Sequence, residues 1–180
     1  MDTKMETAAE EVLALLALDR GDQALSRADE AVGSDPGSAE NHRVRGDALR
    51  TLGYHADAVA SYDRAIELKP DHATAYLNRG LSLAALGRVH DAASSYDRSI
   101  KIEPNNPEAY KYGGDLCSKA ARFEQAEIFY NNAILLKPDY VDAHAMRANV
   151  VRKLGRHDEA RAGSARPWTS IPSWRCRLCD

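Results

Sequence analysis

A proline recurs every 34 residues in this chain, at Pro36, Pro70, Pro104 and Pro138. A fixed spacing between about 20 and 50 residues is typical of arrays in which small supersecondary units stack on one another. Proline cannot continue the hydrogen-bond ladder of a helix, and it disfavours helical geometry in the residue before it. Each of these prolines therefore predicts the end of a helix and a turn into the next unit.

The same 34-residue spacing recurs in other residues. It holds for tyrosines, for small residues inside the predicted helices and for small residues in the predicted loops. They are Tyr62, Tyr96 and Tyr130; Gly46, Gly80, Gly114 and Ala148; Ala24, Ala58, Ala92, Ala126 and Ala160; and Gly53, Gly87, Ala121 and Gly155. Small side chains let helix backbones approach closely, so we expect Gly80 and Ala92 to face each other within one helix pair. Tyr96 lies four residues after Ala92 on the same helix face and is expected to act as a spacer between units.

The block 73–106, with Gly80, Ala92, Tyr96 and Pro104, resembles the tetratricopeptide repeat, a helix-turn-helix unit of 34 residues. The resemblance covers about residues 5–160. It implies an all-α fold, a right-handed α-α superhelix or solenoid of about five helix pairs. A single pair cannot bury its apolar face alone, so neighbouring pairs are expected to supply each other's core.

We expect the repeat array to occupy residues 1–160, followed by an atypical tail at 161–180. The five repeats lie at about 5–38, 39–72, 73–106, 107–140 and an incomplete 141–165. The predicted helix pairs are 5–18 with 22–34, 39–52 with 55–68, 73–86 with 89–102, 107–120 with 123–136, and 141–154 with 157 to about 165. The first pair is degenerate, since Val12 replaces the helix glycine and Gly21 comes two residues after the expected loop position.

The tail carries both tryptophans and two of the three cysteines, a composition unlike that of the repeats. Two interpretations stay open: a short native tail that covers the last helix pair, or a change of reading frame near residue 161 that truncates a longer repeat protein. Translation of the downstream nucleotides in the other frames separates the two.

In the family that the chain resembles, the first helices of the repeats line a concave groove that holds an extended peptide or a partner helix. The resemblance therefore implies a protein or peptide partner. The side chains expected to face this groove are Arg43, Asp47, Arg50, Leu77, Asn78, Leu81, Lys111, Tyr112, Asp115, Lys119, Met146, Asn149 and Arg152. Leu77, Leu81 and Tyr112 give it a less polar centre, where a partner side chain can anchor.

Two specific recognition devices of the family do not fit these positions. The carboxylate clamp needs lysine, asparagine and arginine on successive first helices, and of its positions only Asn78 matches, while Glu108 would repel a carboxylate. The asparagine ladder of repeat-containing glycosyltransferases needs asparagine in many repeats, and here only Asn78 supplies one.

The sequence contains no motif for catalysis, metal binding or cofactor binding. None of the six histidines has metal-site or catalytic spacing, and Cys176 and Cys179 form a single pair where a closed zinc site needs four ligands. A formal net charge of −3 without a basic cluster in the repeats argues against nucleic acid. The acidic N-terminus argues against a secretory signal, and the cysteine usage fits a reducing compartment. We therefore expect a cytoplasmic, non-enzymatic scaffold with no cofactor and no membrane or nucleic-acid partner.

Two alternatives to a free-standing scaffold stay open. The chain can be the substrate-presenting or regulatory arm of a larger enzyme, such as a repeat-containing glycosyltransferase, truncated here. It can also self-associate, with the incomplete last repeat stacking on the first repeat of a neighbour.

Overall fold

The computed structural model of the chain describes residues 7–158, which contain nine α-helices and no strand. The helices are α1 (Ala8–Ala17), α2 (Gly21–Ser34), α3 (Ala39–Thr51), α4 (His55–Leu68), α5 (Ala73–Ala85), α6 (Val89–Ile102), α7 (Pro107–Lys119), α8 (Phe123–Leu136) and α9 (Val141–Lys153). Their ends lie within three residues of the predicted ones. Residues 157–158 are helical, and the rest of the predicted tenth helix lies outside the described residues, as does the 161–180 tail. Self-association through the incomplete last repeat, of which residues 141–158 are described, stays a prediction.

Polar caps fix where several first helices begin. Thr7 and Glu10 form a capping box at α1, in which each side chain accepts a hydrogen bond from the backbone N–H of the other. The Ser38 side chain accepts from the backbone N–H of Asn41 at α3, and Asn106 does the same for Ala109 at α7. These caps satisfy backbone donors that a helix leaves without partners in its first turn.

The loop inside each helix pair contains one residue in the left-handed backbone region. Gly53, Gly87 and Gly155 have φ of 83°, 74° and 77°, while Asp19 and Ala121 occupy the same place with φ of 58° and 57°. The loop position of the first repeat therefore belongs to Asp19, and Gly21 is instead the first residue of α2. Aspartate tolerates this backbone region better than alanine does, because its short polar side chain can hydrogen-bond locally.

Ala121→Gly is expected to stabilise the protein by about 0.5–1 kcal/mol. Glycine removes the steric cost of the left-handed conformation, and the greater freedom of the unfolded chain offsets only part of this gain. Thermal unfolding followed by circular dichroism measures the change. Gly87→Ala is the reverse substitution at the same place in another repeat and should lower the melting temperature. A lower melting temperature for Ala121→Gly would contradict this account of the loop.

The described chain divides within α6 into two compact bodies: the N-terminal body, which ends at Ser95, and the C-terminal body, which begins at Tyr96. In the N-terminal body small residues of α1 to α3 form one core, namely Ala9, Val12, Ala24, Ala28, Val44 and Ala48. In the C-terminal body a core forms from Cys117, Ala126, Tyr130 and Val150, with Phe123, Phe129 and Leu154 packed against it. Both cores combine small residues with aromatic or branched ones, as expected where helices pack closely.

A tyrosine ring fills the space beside the helix glycine in both bodies. A Cβ atom placed on Gly46 would lie 2.6 Å from the Tyr62 ring, and one on Gly114 would lie 2.7 Å from the Tyr130 ring. Both distances are far below a van der Waals contact. Glycine is therefore needed at this position in these repeats to admit the tyrosine ring of the second helix. The tyrosine fills space within its own repeat, in addition to the predicted role as a spacer between repeats.

Arginines on first helices join three successive helices of the N-terminal body. Arg45 on α3 donates from Nε to Asp29 of α2 at 2.6 Å and from Nη1 to Ser61 of α4 at 2.8 Å. The same arrangement recurs one repeat later at Arg79, Asp63 and Ser95. In the fourth repeat Gly113 occupies the position of this arginine. The Phe129 ring fills the space that the Cβ atom of any other residue at this position would need.

Candidate functional site

The predicted groove residues lie on α3, α5, α7 and α9, the first helices of four repeats, and differ widely in exposure. Arg43, Asp47 and Leu77 are buried. Arg50, Asn78, Leu81, Lys111, Tyr112, Asp115 and Asn149 are half-buried, and Lys119, Met146 and Arg152 are exposed. The accessible side chains of this set are therefore concentrated on α7 and α9, in the C-terminal body. The ligand role of each residue remains a prediction.

Asp47 is the centre of a buried polar network in the N-terminal body. Its Oδ2 pairs with the Arg43 guanidinium, and its Oδ1 accepts from the Tyr62 hydroxyl and from Asn78 Nδ2, both at 2.7 Å. The Asp47 side chain is only 7 % exposed. Burial, followed by the negative charge of Asp47, raises the pKa of Tyr62, so the hydroxyl remains a donor. Three donors satisfy the buried carboxylate, which would otherwise be costly.

Arg43 also joins this network to the start of the next repeat. Its Nε and Nη2 donate to the two carboxylate oxygens of Glu40, at 3.0 and 2.5 Å. Glu40 Oε2 lies 3.2 Å from Nε2 of His72, the residue just before α5. The hydrogen bond with His72, followed by that from Arg43, lowers the pKa of Glu40 to about 2. The predicted groove residue Arg43 therefore holds two carboxylates of its own chain.

Glu40 should make the stability of the protein sensitive to acid. A carboxyl whose pKa falls on folding stabilises the folded state above its unfolded pKa, here near 4.5, and loses that contribution as the pH falls toward about 2. Because the Glu40 side chain is 47 % exposed, solvent screens the interaction, and we expect about 0.5–1 kcal/mol near neutral pH. Urea unfolding of wild type and Glu40→Gln across this range measures it. A stability difference that stays constant down to the lowest pH would contradict the assignment.

Asp115 is the centre of the corresponding network in the C-terminal body. Its Oδ1 accepts from the Tyr130 hydroxyl at 2.8 Å, and its Oδ2 lies 2.8 Å from the Lys111 ammonium. Burial lowers the pKa of Lys111, but the hydrogen bond and charge of Asp115 outweigh burial and raise it above its ordinary value. The Asp115 side chain is 25 % exposed, so this ion pair lies partly open to solvent.

Aromatic rings border this ion pair. The Lys111 ammonium lies 4.6 Å from the centroid of the Tyr112 ring, within the range of a cation–π interaction. The Tyr112 ring stacks on Tyr96 with a centroid distance of 6.4 Å and an interplanar angle of 20°. On α9, Arg152 Nη2 donates to Asn149 Oδ1 at 2.6 Å. In the C-terminal body an aromatic ring therefore lies beside a partly exposed ion pair.

The tyrosine hydroxyls and Glu40 are partners of the predicted groove residues that the repeat pattern did not predict. A signal for the tyrosines was present, because Asp47 and Tyr62 have the same separation as Asp115 and Tyr130, namely 15 residues.

Within residues 7–158 no cluster of three histidine, cysteine or acidic side chains could hold a metal ion. In the same range, no helix has the length and apolar character that crossing a bilayer requires.

The sequence profile of the tetratricopeptide repeat family matches residues 10–73 and 44–107, which together span more than half of the chain. The chain belongs to the tetratricopeptide repeat family. This fold generally provides a scaffold for protein–protein interaction. Among curated protein sequences, none matches this tetratricopeptide repeat protein.

Solved structures agree with the fold of this tetratricopeptide repeat protein. MamA from Desulfovibrio magneticus has a TM-score of 0.75 at 20 % identity, covering 88 % of this chain and 92 % of its own. A thermophilic tetratricopeptide repeat protein from Thermus thermophilus has a TM-score of 0.74 at 20 % identity, covering 87 % of this chain and 86 % of its own. PilF of Pseudomonas aeruginosa has 0.80 at 18 %, covering 89 % and 76 %. These identities show the fold alone, and they confirm the predicted all-α solenoid.

Proposed function

We propose that this chain is a protein-interaction scaffold that binds a polypeptide segment on the first-helix face of its C-terminal body, formed by α7 and α9. The observation that supports it is the difference in exposure between the two bodies. On α3 the predicted groove residues Arg43 and Asp47 are buried and bound to each other. On α7 and α9, Lys119, Met146 and Arg152 are exposed and Tyr112 is half-buried.

The accessible set combines the kinds of side chain that bind polypeptides well. Tyrosine, methionine and arginine are enriched at protein interfaces, where apolar surface gives affinity and charged groups give orientation. Lys119 on α7 and Arg152 on α9 are exposed and positively charged, and Met146 on α9 is exposed and apolar. An extended peptide can satisfy such a surface with one apolar side chain and flanking polar groups.

We propose that the chain performs no catalysis, binds no cofactor, metal, nucleic acid or membrane, and works in the cytoplasm. The support is the formal net charge of −3 without a basic cluster in the repeats, and the buried position of Cys117, the one cysteine outside the tail.

A display selection tests the binding proposal directly. Random peptides are selected on the full-length chain, and their dissociation constants are measured by fluorescence anisotropy. The triple variant Lys119→Ala, Met146→Ala, Arg152→Ala changes only exposed side chains, so we expect it to fold normally and to bind at least about tenfold more weakly.

The matched control lies on α8, a second helix of the same body. Leu135 is an apolar side chain that is 69 % exposed, and Glu124 and Gln125 are exposed polar ones. The triple alanine variant at these three positions should bind the peptides like wild type. Equal loss of affinity in both triple variants, or none in either, would place binding elsewhere.

A further inference from the structure

The networks at Asp47 and Asp115 are built alike, but one of them lacks a donor. Each carboxylate accepts on Oδ1 from a tyrosine that follows it by 15 residues, and each pairs on Oδ2 with a cation four residues before it. Asp47 has a third donor, since Asn78 Nδ2 reaches Oδ1 at 2.7 Å from the next first helix. The N-terminal body therefore shows how this arrangement is completed.

In the C-terminal body the position of that amide is occupied by Met146. Met146 follows Asp115 by 31 residues, as Asn78 follows Asp47, and a thioether carries no N–H to donate. Within residues 7–158 the side-chain donors to Asp115 are Lys111 and Tyr130. The exposure of the carboxylate side chain rises accordingly, from 7 % at Asp47 to 25 % at Asp115. Oδ1 of Asp115 therefore lacks the amide partner that Oδ1 of Asp47 has, on a side chain that is partly open to solvent.

We propose that Asp115 is a ligand subsite, in which Oδ1 accepts a hydrogen bond from the side-chain amide of an asparagine or glutamine in a bound polypeptide. This inference rests on the proposed function and names the chemistry that the same surface recognises. The incoming amide takes the place that Asn78 takes at Asp47, while Met146 and the Tyr112 ring contact the apolar part of the same segment.

The charges around Asp115 favour a neutral amide over a lysine or arginine. Lys111 already neutralises the carboxylate at 2.8 Å, so a second cation at Oδ1 would be repelled by the Lys111 ammonium. An amide adds a hydrogen bond to a charged acceptor without adding charge, and such bonds are stronger than neutral ones. The donor that completes the network at Asp47 is also an uncharged amide.

Met146→Asn tests this inference, because it gives the C-terminal body the same donor that Asn78 gives Asp47. The internal amide should occupy Asp115 and exclude the amide of the ligand. The probe is the tightest peptide from the display selection, together with variants in which each asparagine is changed to leucine or each glutamine to methionine. On wild type, one such change should weaken binding by about tenfold or more.

The same peptide change should have little effect on the Met146→Asn variant, and its full effect should persist on Met146→Ala, which removes the thioether but leaves Asp115 open. Leu135→Asn on α8 introduces an amide at an exposed apolar position outside the surface and should bind the peptide like wild type. Two results overturn the subsite: an equal effect of the peptide change on Met146→Asn and Met146→Ala, or a selected peptide that needs lysine or arginine instead. The alanine triple variants judge the proposed function separately, since they do not depend on the amide.

Discussion

Asp47→Leu should lower the free energy of unfolding by about 3 kcal/mol, the largest effect that we expect from a single substitution in this protein. The reason is that Arg43 is buried and would lose the partner of one of its nitrogens, while Tyr62 and Asn78 would lose the acceptor that they share. Arg43 keeps its ion pair with Glu40. The loss of unfolding free energy should therefore lie near the lower end of the range for breaking a buried ion pair. Urea unfolding followed by circular dichroism measures it.

The chain supplies two controls for this result. The double variant Arg43→Leu, Asp47→Leu reproduces Leu77 and Leu81, the residues at these positions in the third repeat, and should be less destabilised than Asp47→Leu alone. Asp115→Leu breaks the corresponding pair where Lys111 is 17 % exposed and can be hydrated, so its loss should be smaller. A double variant less stable than Asp47→Leu, or an equal loss of unfolding free energy at Asp47 and Asp115, would contradict this role of the buried ion pair.

Gly46→Ala should destabilise the protein by about 2 kcal/mol, although alanine is normally the better helix residue. The added Cβ would lie 2.6 Å from the Tyr62 ring. The ring cannot move aside freely, because its hydroxyl is bound to Asp47 at 2.7 Å. A core that is already filled responds to an extra methyl group with off-rotamer side chains or backbone shifts. Thermal and urea unfolding of the variant measure the effect.

Gly33→Ala is the matched substitution, in the exposed part of α2, where no atom lies within 4 Å of the added Cβ. It should stabilise the protein by about 0.5–1 kcal/mol, because alanine loses less backbone entropy in a helix than glycine does. The two substitutions thus have opposite expected signs for the same chemical change. A loss of stability of similar size in both would show that the Tyr62 ring does not determine the effect at Gly46.

The sequence predicted the helices well because their ends depend on local chemistry that repeats. Pro70 comes two residues after the end of α4, and Pro138 two residues after the end of α8. Loop glycines such as Gly53 mark the end of first helices through their left-handed backbone. Glycine is not required at this loop position, since Asp19 and Ala121 adopt the same left-handed conformation.

The sequence predicted which side chains lie along the first helices, but it did not predict which of them stay accessible. Exposure at Asp47 depends on Tyr62 and Asn78, which lie 15 and 31 residues away and act together only once the repeats have stacked. In the fifth repeat the position that corresponds to Asn78 is Met146. This difference changes the environment of Asp115 without changing the helix pattern. The 34-residue period predicts where the helices begin and end, but it does not predict how polar side chains pair across repeats.

The most direct test of this account is a titration of the ¹⁵N-labelled chain with the selected peptide, followed by backbone and side-chain amide chemical shifts. We expect the largest shift changes on α7 and α9, around Tyr112, Met146 and Asn149, and small ones along α3, where Asp47 is bound within the chain. Shift changes concentrated on α3 or on the second helix α8 would contradict the assignment of the binding surface to the first-helix face of the C-terminal body.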